Sequence, residues 1–159
     1  MKAIDIMTKE FDTVLPSATV KEVVTLFKCG FRGDGRKGVN ALMVMDEKGK
    51  LVGLITMSHI LKAIIPFYME MAHLSEFAWE GLFERMCHKI ENRLVSDFME
   101  RKVITVDPDA NIFEISELML KSRVRRLPVV EKDKVIGIVY RKELFFKIVE
   151  TMLEKEGCR

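Results

Sequence analysis

The sequence contains few of the residues that mark specialised classes of protein. Nine Gly and four Pro in 159 residues exclude a collagen-like or low-complexity chain, and three Cys without a CxxC pair predict no disulfide framework. Lys and Arg total 26 against 24 Asp and Glu. The resulting net charge of +2 gives no global reason to expect a nucleic acid or an anionic membrane as partner.

The chain also lacks a long apolar run. Its most apolar stretch, 60–72, is interrupted by Lys62, Pro66 and Glu70, well short of the ~20 apolar residues that a membrane span needs. The first ten residues carry no apolar signal sequence. These absences predict a soluble, cytoplasmic protein, and a hydrophobic content of 48% is enough for one compact core.

Motifs of common enzymes are absent as well. The sequence has no Walker loop, no Gly-x-Ser-x-Gly, no HExxH and no dinucleotide-binding fingerprint. Cys87 and His88 are adjacent, and neighbouring helical residues point about 100° apart, which makes joint ligation of a metal awkward. We therefore predict no catalysis, no metal site and no required cofactor.

The main positive feature is an internal repeat. Segment 6–20 matches segment 98–112 at an offset of 92 residues, as Met99 is offset from Met7. Further on, 51–55 matches 135–139 at an offset of 84, as Gly137 is from Gly53. The two offsets differ mainly because the first copy has seven extra residues. These residues fall in a Gly-rich, charged stretch around 31–38 that is predicted to be a loop.

Each copy shows the same order of secondary-structure signals. Thr19 with Glu22 and Asn111 with Glu114 are capping-box-like pairs, and an apolar stripe with helical spacing follows each pair. Two short apolar strands and a second helix come next. The predicted strands are 41–45, 51–56, 127–131 and 135–140, and the predicted closing helices are 58–65 and 142–154.

The predicted unit is strand, helix, strand, strand, helix, and the fold class is α+β. A half-buried sheet this small is not stable alone, so the two copies must pack on each other. We place the first repeat at 1–65, a helical insert at 66–95 and the second repeat at 96–159. The insert has more apolar surface than one helix face needs, so it either packs on its own domain or supplies a partner or dimer surface.

The duplicated order of motifs resembles the paired cystathionine β-synthase (CBS) domains, also called a Bateman module. The likeness covers nearly the whole chain except the insert and the Gly-rich loop. It is carried by Ile6-Met7-Thr8, Thr13-Val14-Leu15-Pro16, Gly53-Leu54-Ile55-Thr56-Met57-Ser58, Phe98-Met99, Ile104-Thr105-Val106-Asp107-Pro108, Arg126-Leu127-Pro128-Val129-Val130 and Gly137-Ile138-Val139.

The resemblance implies two pseudo-symmetric repeats with two clefts between them. In this family such clefts commonly hold AMP, ADP, ATP or S-adenosylmethionine, and occupancy regulates an attached or associated protein. The family's base-contacting positions are matched by Thr13, Val14, Leu42, Met43, Thr105, Val106, Leu127 and Pro128. Ordinary core packing is the alternative explanation for these mostly apolar residues.

The sequence departs from the family at the carboxylate that binds the ribose diol. The family's Asp position holds His59 in the first copy and Glu143 in the second. Glu143 keeps the charge, whereas a neutral imidazole offers one donor and one acceptor. The family's hydroxyl positions hold Thr56 and Ser58 in the first copy, but Tyr140 and Lys142 in the second.

A basic stretch accompanies the second copy. Segment 121–147 has nine basic residues against three acidic ones. Arg126, Arg141 and Lys142 are therefore candidates for binding an anionic group, and a solvated basic face is the alternative. Nucleic acid is disfavoured because the only aromatics nearby are Tyr140, Phe145 and Phe146, and two of these are expected to face the core.

The resulting hypothesis is a stand-alone regulatory module that senses an adenine nucleotide or related adenosyl ligand and acts on an unidentified regulated protein. Two alternatives stay open, namely a ligand-free dimeric interaction module and a nucleic-acid-binding accessory protein. A homodimer is predicted because apolar helix faces would otherwise remain in water. The residues on these faces are Ile64, Phe67, Met71, Phe146, Val149, Met152 and Leu153.

Overall fold

The computed structural model describes residues 1–29, 41–65 and 81–153. The Gly-rich stretch 31–38, the part of the insert at 66–80 and Cys158 lie outside the described residues. The described helices are α1 (Ala3–Ile6), α2 (Val20–Cys29), α3 (Met57–Ile64), α4 (Leu82–Ile90), α5 (Ile112–Ser122) and α6 (Arg141–Leu153). The strands are β1 (Thr13–Val14), β2 (Ala41–Met45), β3 (Leu51–Thr56), β4 (Arg126–Glu131) and β5 (Lys134–Tyr140).

These elements confirm the mixed α+β class with two repeats. The strands and closing helices begin within one residue of the predicted starts, and 82–90 of the predicted insert is helical. Both capping pairs form: Asn111 Oδ1 accepts the Phe113 and Glu114 amides at 2.9 and 3.0 Å, and Thr19 Oγ1 accepts the Glu22 amide at 3.2 Å. No helix among the described residues is long and apolar enough to cross a membrane.

The chain divides into two compact units, and one of them is the continuous segment Asp12–Val103. Its sheet has the order β1-β2-β3, with β1 parallel and β3 antiparallel to β2. A short 3₁₀ turn at Val95–Asp97 contributes a fully buried Val95 to the core. The other core side chains are Val14, Val23, Leu42, Val44, Ile55 and Met99.

The other unit joins Met1–Phe11 to the chain from Ile104 onward. Its β4 and β5 form an antiparallel pair, and Val106 adds a parallel bridge to Val129, in the place that β1 has in the first unit. Its core side chains are Ala3, Ile6, Val106, Ile115, Met119, Leu127, Val129, Val139 and Leu144.

The segment before each repeat packs on the other repeat. The Thr8 amide donates to the Ile138 carbonyl at 2.8 Å, and the Glu100 amide donates to the Leu54 carbonyl at the same distance. Because Glu100 follows Thr8 by 92 residues, as Met99 follows Met7, these are equivalent contacts in the two units. The compact units are therefore not the sequence repeats themselves, and the repeat borders 1–65 and 96–159 stay a prediction.

Candidate ligand-binding residues

The predicted base-contacting residues of the first copy lie on adjacent strands. Thr13 of β1 pairs with Met43 of β2 in parallel register. Thr13 is exposed, whereas the side chains of Val14, Leu42 and Met43 are buried, the last two at 2% and 1% exposure. Apart from Thr13, these residues present mainly backbone groups to any ligand.

The β3–α3 junction gives His59 a definite local role. The Thr56 amide donates to His59 Nδ1 at 3.0 Å, and the Thr56 hydroxyl lies 3.2 Å from the same nitrogen. His59 thus occupies the third position of the helix in the way that Glu does in a capping box. Because Nδ1 accepts the amide hydrogen, the neutral ring carries its proton on Nε2.

The charge state of His59 follows from its surroundings. Burial lowers the pKa of the imidazole below its ordinary 6.5, nearby Lys62 lowers that pKa further, and Glu100 opposes both effects. At neutral pH the ring is uncharged and offers one N–H donor. Ser58, its neighbour, is exposed.

The matching residues of the second copy are arranged in the same way. The Val106 amide donates to the Pro128 carbonyl at 3.0 Å, and the Val130 amide donates back to the Val106 carbonyl at 2.9 Å. Val106, Leu127 and Pro128 are buried, and Thr105 is exposed. Thr105 and Thr13 are therefore equivalent exposed hydroxyls in the two units.

The β5–α6 junction carries the basic candidates. Arg126 is half-buried and lies opposite Tyr140 in the antiparallel register. Burial lowers the pKa of the Arg126 guanidinium, with Arg125 lowering it further and Tyr140 opposing the change. At the start of α6, the exposed side chains are Arg141, Lys142 and Glu143.

The neighbouring aromatic residues differ from the prediction. Phe145 and Phe146 are 60% and 45% exposed, and their rings meet edge to face with centroids 6.3 Å apart. Lys142 Nζ lies 5.5 Å from the Phe146 centroid. The expectation that two of the three aromatics face the core was wrong, because Leu144 alone is the buried residue of α6.

The structure thus places the first-copy candidates in one unit and the second-copy candidates in the other. It also shows an open groove of about 630 Å³ that sequence reasoning missed, apart from Val14. Ser17 and Glu22 are polar residues on the groove, and Glu22 also forms the capping pair with Thr19. The lining residues are Val14, Leu15, Ser17, Ala18, Glu22, Thr25 and Leu26. No group of three metal-ligating side chains occurs within the described ranges.

Comparison with known proteins places the chain in a family. The CBS domain family matches residues 3–66 and 95–150, so the chain belongs to the CBS domain family. Protein MJ1426 of Methanocaldococcus jannaschii is 30% identical over 91% of this chain and 89% of its own length. Other relatives are longer; the chain spans 59% of CBSX1 of Arabidopsis thaliana, with 28% identity.

Solved structures agree on the fold. CBSX2 in complex with AMP superposes with a TM-score of 0.66 over 95% of this chain and 98% of its own, at 23% identity. The CBS domain pair of MJ0100, in complex with 5′-methylthioadenosine and S-adenosyl-L-methionine, gives a TM-score of 0.66 at 24% identity over the same shares. At these identities the likeness establishes the CBS-pair fold alone.

Proposed function

We propose that the protein is a regulatory CBS-pair module that senses an adenine nucleotide or related adenosyl ligand and has no catalytic step of its own. CBS-pair structures that share its fold hold AMP or S-adenosyl-L-methionine. The observation that carries the proposal for this chain is Arg126, a half-buried cation one residue before the base-contacting position Leu127. The cytoplasmic location stays part of this proposal.

The second copy supplies each group that such a ligand needs. The exposed Thr105 hydroxyl and nearby backbone are suited to the adenine base, and the Glu143 carboxylate to the ribose diol. Arg126, with Arg141 and Lys142 at the start of α6, is suited to phosphate, because charge-assisted bonds to phosphate are the strongest polar contacts available. Partial burial of Arg126 raises the gain from an anionic partner.

The first copy is suited to a different ligand. Thr56 Oγ1 is near His59 Nδ1, and the neutral His59 ring retains one N–H donor. At the positions of Arg141, Lys142 and Glu143 the first copy has Met57, Ser58 and His59, so it lacks the charges of the second copy there, although Lys62 and Glu100 lie near His59. We expect it to bind an uncharged nucleoside weakly, or to be empty, and to contribute little to phosphate recognition.

Calorimetry with AMP and adenosine tests the assignment of Arg126. Arg126→Ala should weaken AMP about 10- to 150-fold, which corresponds to roughly 1.5–3 kcal/mol, and should leave adenosine nearly unchanged. Lys132→Ala, an exposed cation at the β4–β5 turn, is the matched control and should bind both as the wild type does. Equal losses of AMP and adenosine in Arg126→Ala would mean that the arginine supports structure instead.

A second variant tests the departure at His59. His59→Asp places the family's carboxylate in the first copy, and a further or tighter adenosine site in calorimetry is the expected result. An unchanged number of sites with a lower melting midpoint would show that His59 serves only the helix start. That outcome would favour the alternative of a ligand-free interaction module, which the capping role of His59 supports.

We also propose a homodimer formed through α6. Phe146, Met152 and Leu153 are 45%, 76% and 47% exposed. Val149 is partly exposed, and its spacing of three residues from Phe146 and four from Leu153 puts it on the same side of the helix. Ile64 at the end of α3 is partly exposed, whereas Phe67 and Met71 lie outside the described residues. Sedimentation should give about twice the 18.4 kDa of one chain, and a monomer at every concentration would exclude the dimer.

A further inference from the structure

Nδ1 of His59 lies near two different groups of one residue, Thr56. It is 3.0 Å from the Thr56 amide nitrogen and 3.2 Å from the Thr56 hydroxyl oxygen. An amide N–H can only donate a hydrogen bond, whereas a hydroxyl oxygen can also accept one. Thr56 therefore offers a partner to either state of Nδ1, namely the amide to the neutral ring and the hydroxyl oxygen to the protonated ring.

A proton on Nδ1 changes the hydrogen bonding at the start of α3. The protonated nitrogen cannot accept a hydrogen bond, so the Thr56 amide loses this partner, and the new N–H can donate to Thr56 Oγ1 instead. The ring gains a positive charge at the same time. An anionic group beside the junction would compensate for both changes, because it accepts from the amide and attracts the imidazolium.

Two charged side chains of opposite sign act on His59. Lys62, on the same helix, lowers the pKa of the imidazole, and Glu100, in the segment before the second repeat, raises it. The Glu100 amide donates to the Leu54 carbonyl at 2.8 Å, which holds this segment against β3. These three side chains carry no net charge when the ring is neutral and +1 when it is protonated. Helix α4 also packs on α3, and its titratable residues are Glu84, Arg85, Cys87, His88 and Lys89.

The second copy provides an internal comparison. Histidine is the side chain that ordinarily changes its charge between pH 5 and 8. Segment 96–159 contains no histidine, and at the positions of Met57, Ser58 and His59 it has Arg141, Lys142 and Glu143. The two copies therefore differ in kind: the second has permanent cations, whereas the first has a group whose charge depends on pH.

We propose that the first-copy site takes up a proton on His59 when it binds an anionic adenosyl ligand. The inference rests on the proposed function, because it needs a ligand beside His59 at the family's Asp position. At neutral pH the site accepts at most an uncharged nucleoside, and under mildly acidic conditions it accepts a nucleotide as well. Since coupling between two binding events is reciprocal, the bound anion must also favour protonation of His59.

Adenosine 5′-sulfate is the probe that tests this coupling. Its sulfate monoester keeps one negative charge through the relevant range, whereas the phosphate of AMP itself titrates with a pKa of about 6. Adenosine is the matched uncharged ligand. In proton NMR, the ring signals of His59 report on the first copy alone, and the His59→Gln variant identifies them among the three histidines of the chain.

Adenosine 5′-sulfate should bind beside His59 roughly tenfold or more tightly at pH 5.5 than at pH 7.5. Saturation with this probe should also move the midpoint of the His59 titration to higher pH. Adenosine should bind with nearly the same affinity at both pH values. Equal affinity for the sulfate at both pH values, or a His59 titration that the bound probe leaves unchanged, would overturn the proposal.

Two variants separate the proton from the rest of the junction. His59→Gln keeps an acceptor for the Thr56 amide but takes up no proton, so the pH dependence of sulfate affinity, followed through the Thr56 amide signal, should disappear. Thr56→Val keeps the amide but removes the oxygen that accepts from the protonated ring, so the His59 titration should move to lower pH. Persistence of the full pH dependence in His59→Gln would overturn the proposal.

Calorimetry with AMP on the same protein distinguishes the two levels of the argument. If AMP binds to the chain while the sulfate moves neither the His59 nor the Thr56 signals at pH 5.5, the coupling at His59 is overturned and the proposed function stands. If neither AMP nor adenosine binds to the chain at all, both the proposed function and this inference are overturned.

Discussion

The thioether of Met7 packs directly against the backbone of Gly137. A Cβ atom at Gly137 would lie 2.6 Å from Met7 Sδ and 2.8 Å from its Cγ. The equivalent pair in the other unit is Met99 and Gly53, where a Cβ atom would lie 2.5 Å from Sδ. Glycine is therefore required in both repeats because the segment leading into the other repeat crosses the strand at that point.

Gly137→Ala should destabilise the protein by about 1–3 kcal/mol, the usual effect of overpacking a core. The clash involves Cγ and Cβ of Met7 as well as the flexible Sδ end, so rotation of the side chain will not relieve it fully. Urea denaturation followed by circular dichroism measures the change. Adding Met7→Ala should recover part of the loss, and strictly additive effects of the two substitutions would contradict direct contact.

Gly49 gives the matched control for this prediction. It has a φ of 81°, and nothing lies within 4 Å of a Cβ atom built there. Gly49→Ala should therefore cost only the backbone strain of the left-handed conformation, about 1 kcal/mol, and should show no coupling to Met7.

The capping role of His59 predicts a pH-dependent stability. Because the pKa of His59 is lowered in the folded state, the unfolded chain takes up this proton first as the pH falls. The contribution of His59 is fully present above its ordinary pKa of 6.5 and is lost as the pH falls through the folded-state value. His59→Gln should keep the cap and remove this component.

Denaturation of the wild type and His59→Gln between pH 7.5 and 5 measures the difference. The two curves should agree at pH 7.5 and diverge below pH 6.5, with the variant the more stable at low pH. Parallel curves for wild type and His59→Gln would exclude the proposed protonation.

The start of α5 has stronger capping than the start of α2. Asn111 accepts two amides, and Glu114 Oε2 accepts the Asn111 amide at 2.9 Å. Asn111→Ala should cost about 1–2 kcal/mol, and Thr19→Ala, which loses one bond, about 0.5–1 kcal/mol. Thermal unfolding of the two variants gives the comparison, and a larger loss for Thr19→Ala would contradict it.

The conformation of Arg123 predicts a stabilising substitution. Arg123→Gly and Arg123→Ala remove the same charge, but only glycine removes the Cβ atom that the left-handed conformation disfavours. The glycine variant should therefore be more stable than the alanine variant by about 1 kcal/mol in urea denaturation. Equal stabilities would mean that the helix end adjusts its backbone when the residue changes.

Much of the fold follows from local patterns in the sequence. The order of elements can be predicted from three local patterns. These are the capping pairs at Asn111 and Thr19, the apolar helical stripe after each pair, and the apolar strand that contains Gly137. The packing of the segment before each repeat on the other repeat could not be predicted from local patterns. Thr8 and Ile138 are far apart in the sequence, and local periodicity does not indicate which distant segments pair.

The candidate site was harder to predict for a different reason. A capping box is recognised from Glu or Gln at its third helical position, so His59 was assigned to a ligand although its Nδ1 accepts the Thr56 amide. Two of Tyr140, Phe145 and Phe146 are predicted to face the core because composition does not indicate which side of α6 is buried. Leu144 is the buried residue of α6, whereas the side chains of Phe145 and Phe146 are exposed.

The packing of the segment before each repeat on the other repeat has a consequence for biosynthesis. The unit Asp12–Val103 is continuous, so it is complete once its own residues leave the ribosome. In the unit that includes Met1–Phe11, the contacts of Ala3 and Ile4 need Ala110 and Pro108, and the pairing of Thr8 needs Ile138. The pairing of Thr8 with Ile138 therefore forms late in synthesis, after the unit Asp12–Val103 has been made, although Thr8 is translated before that unit.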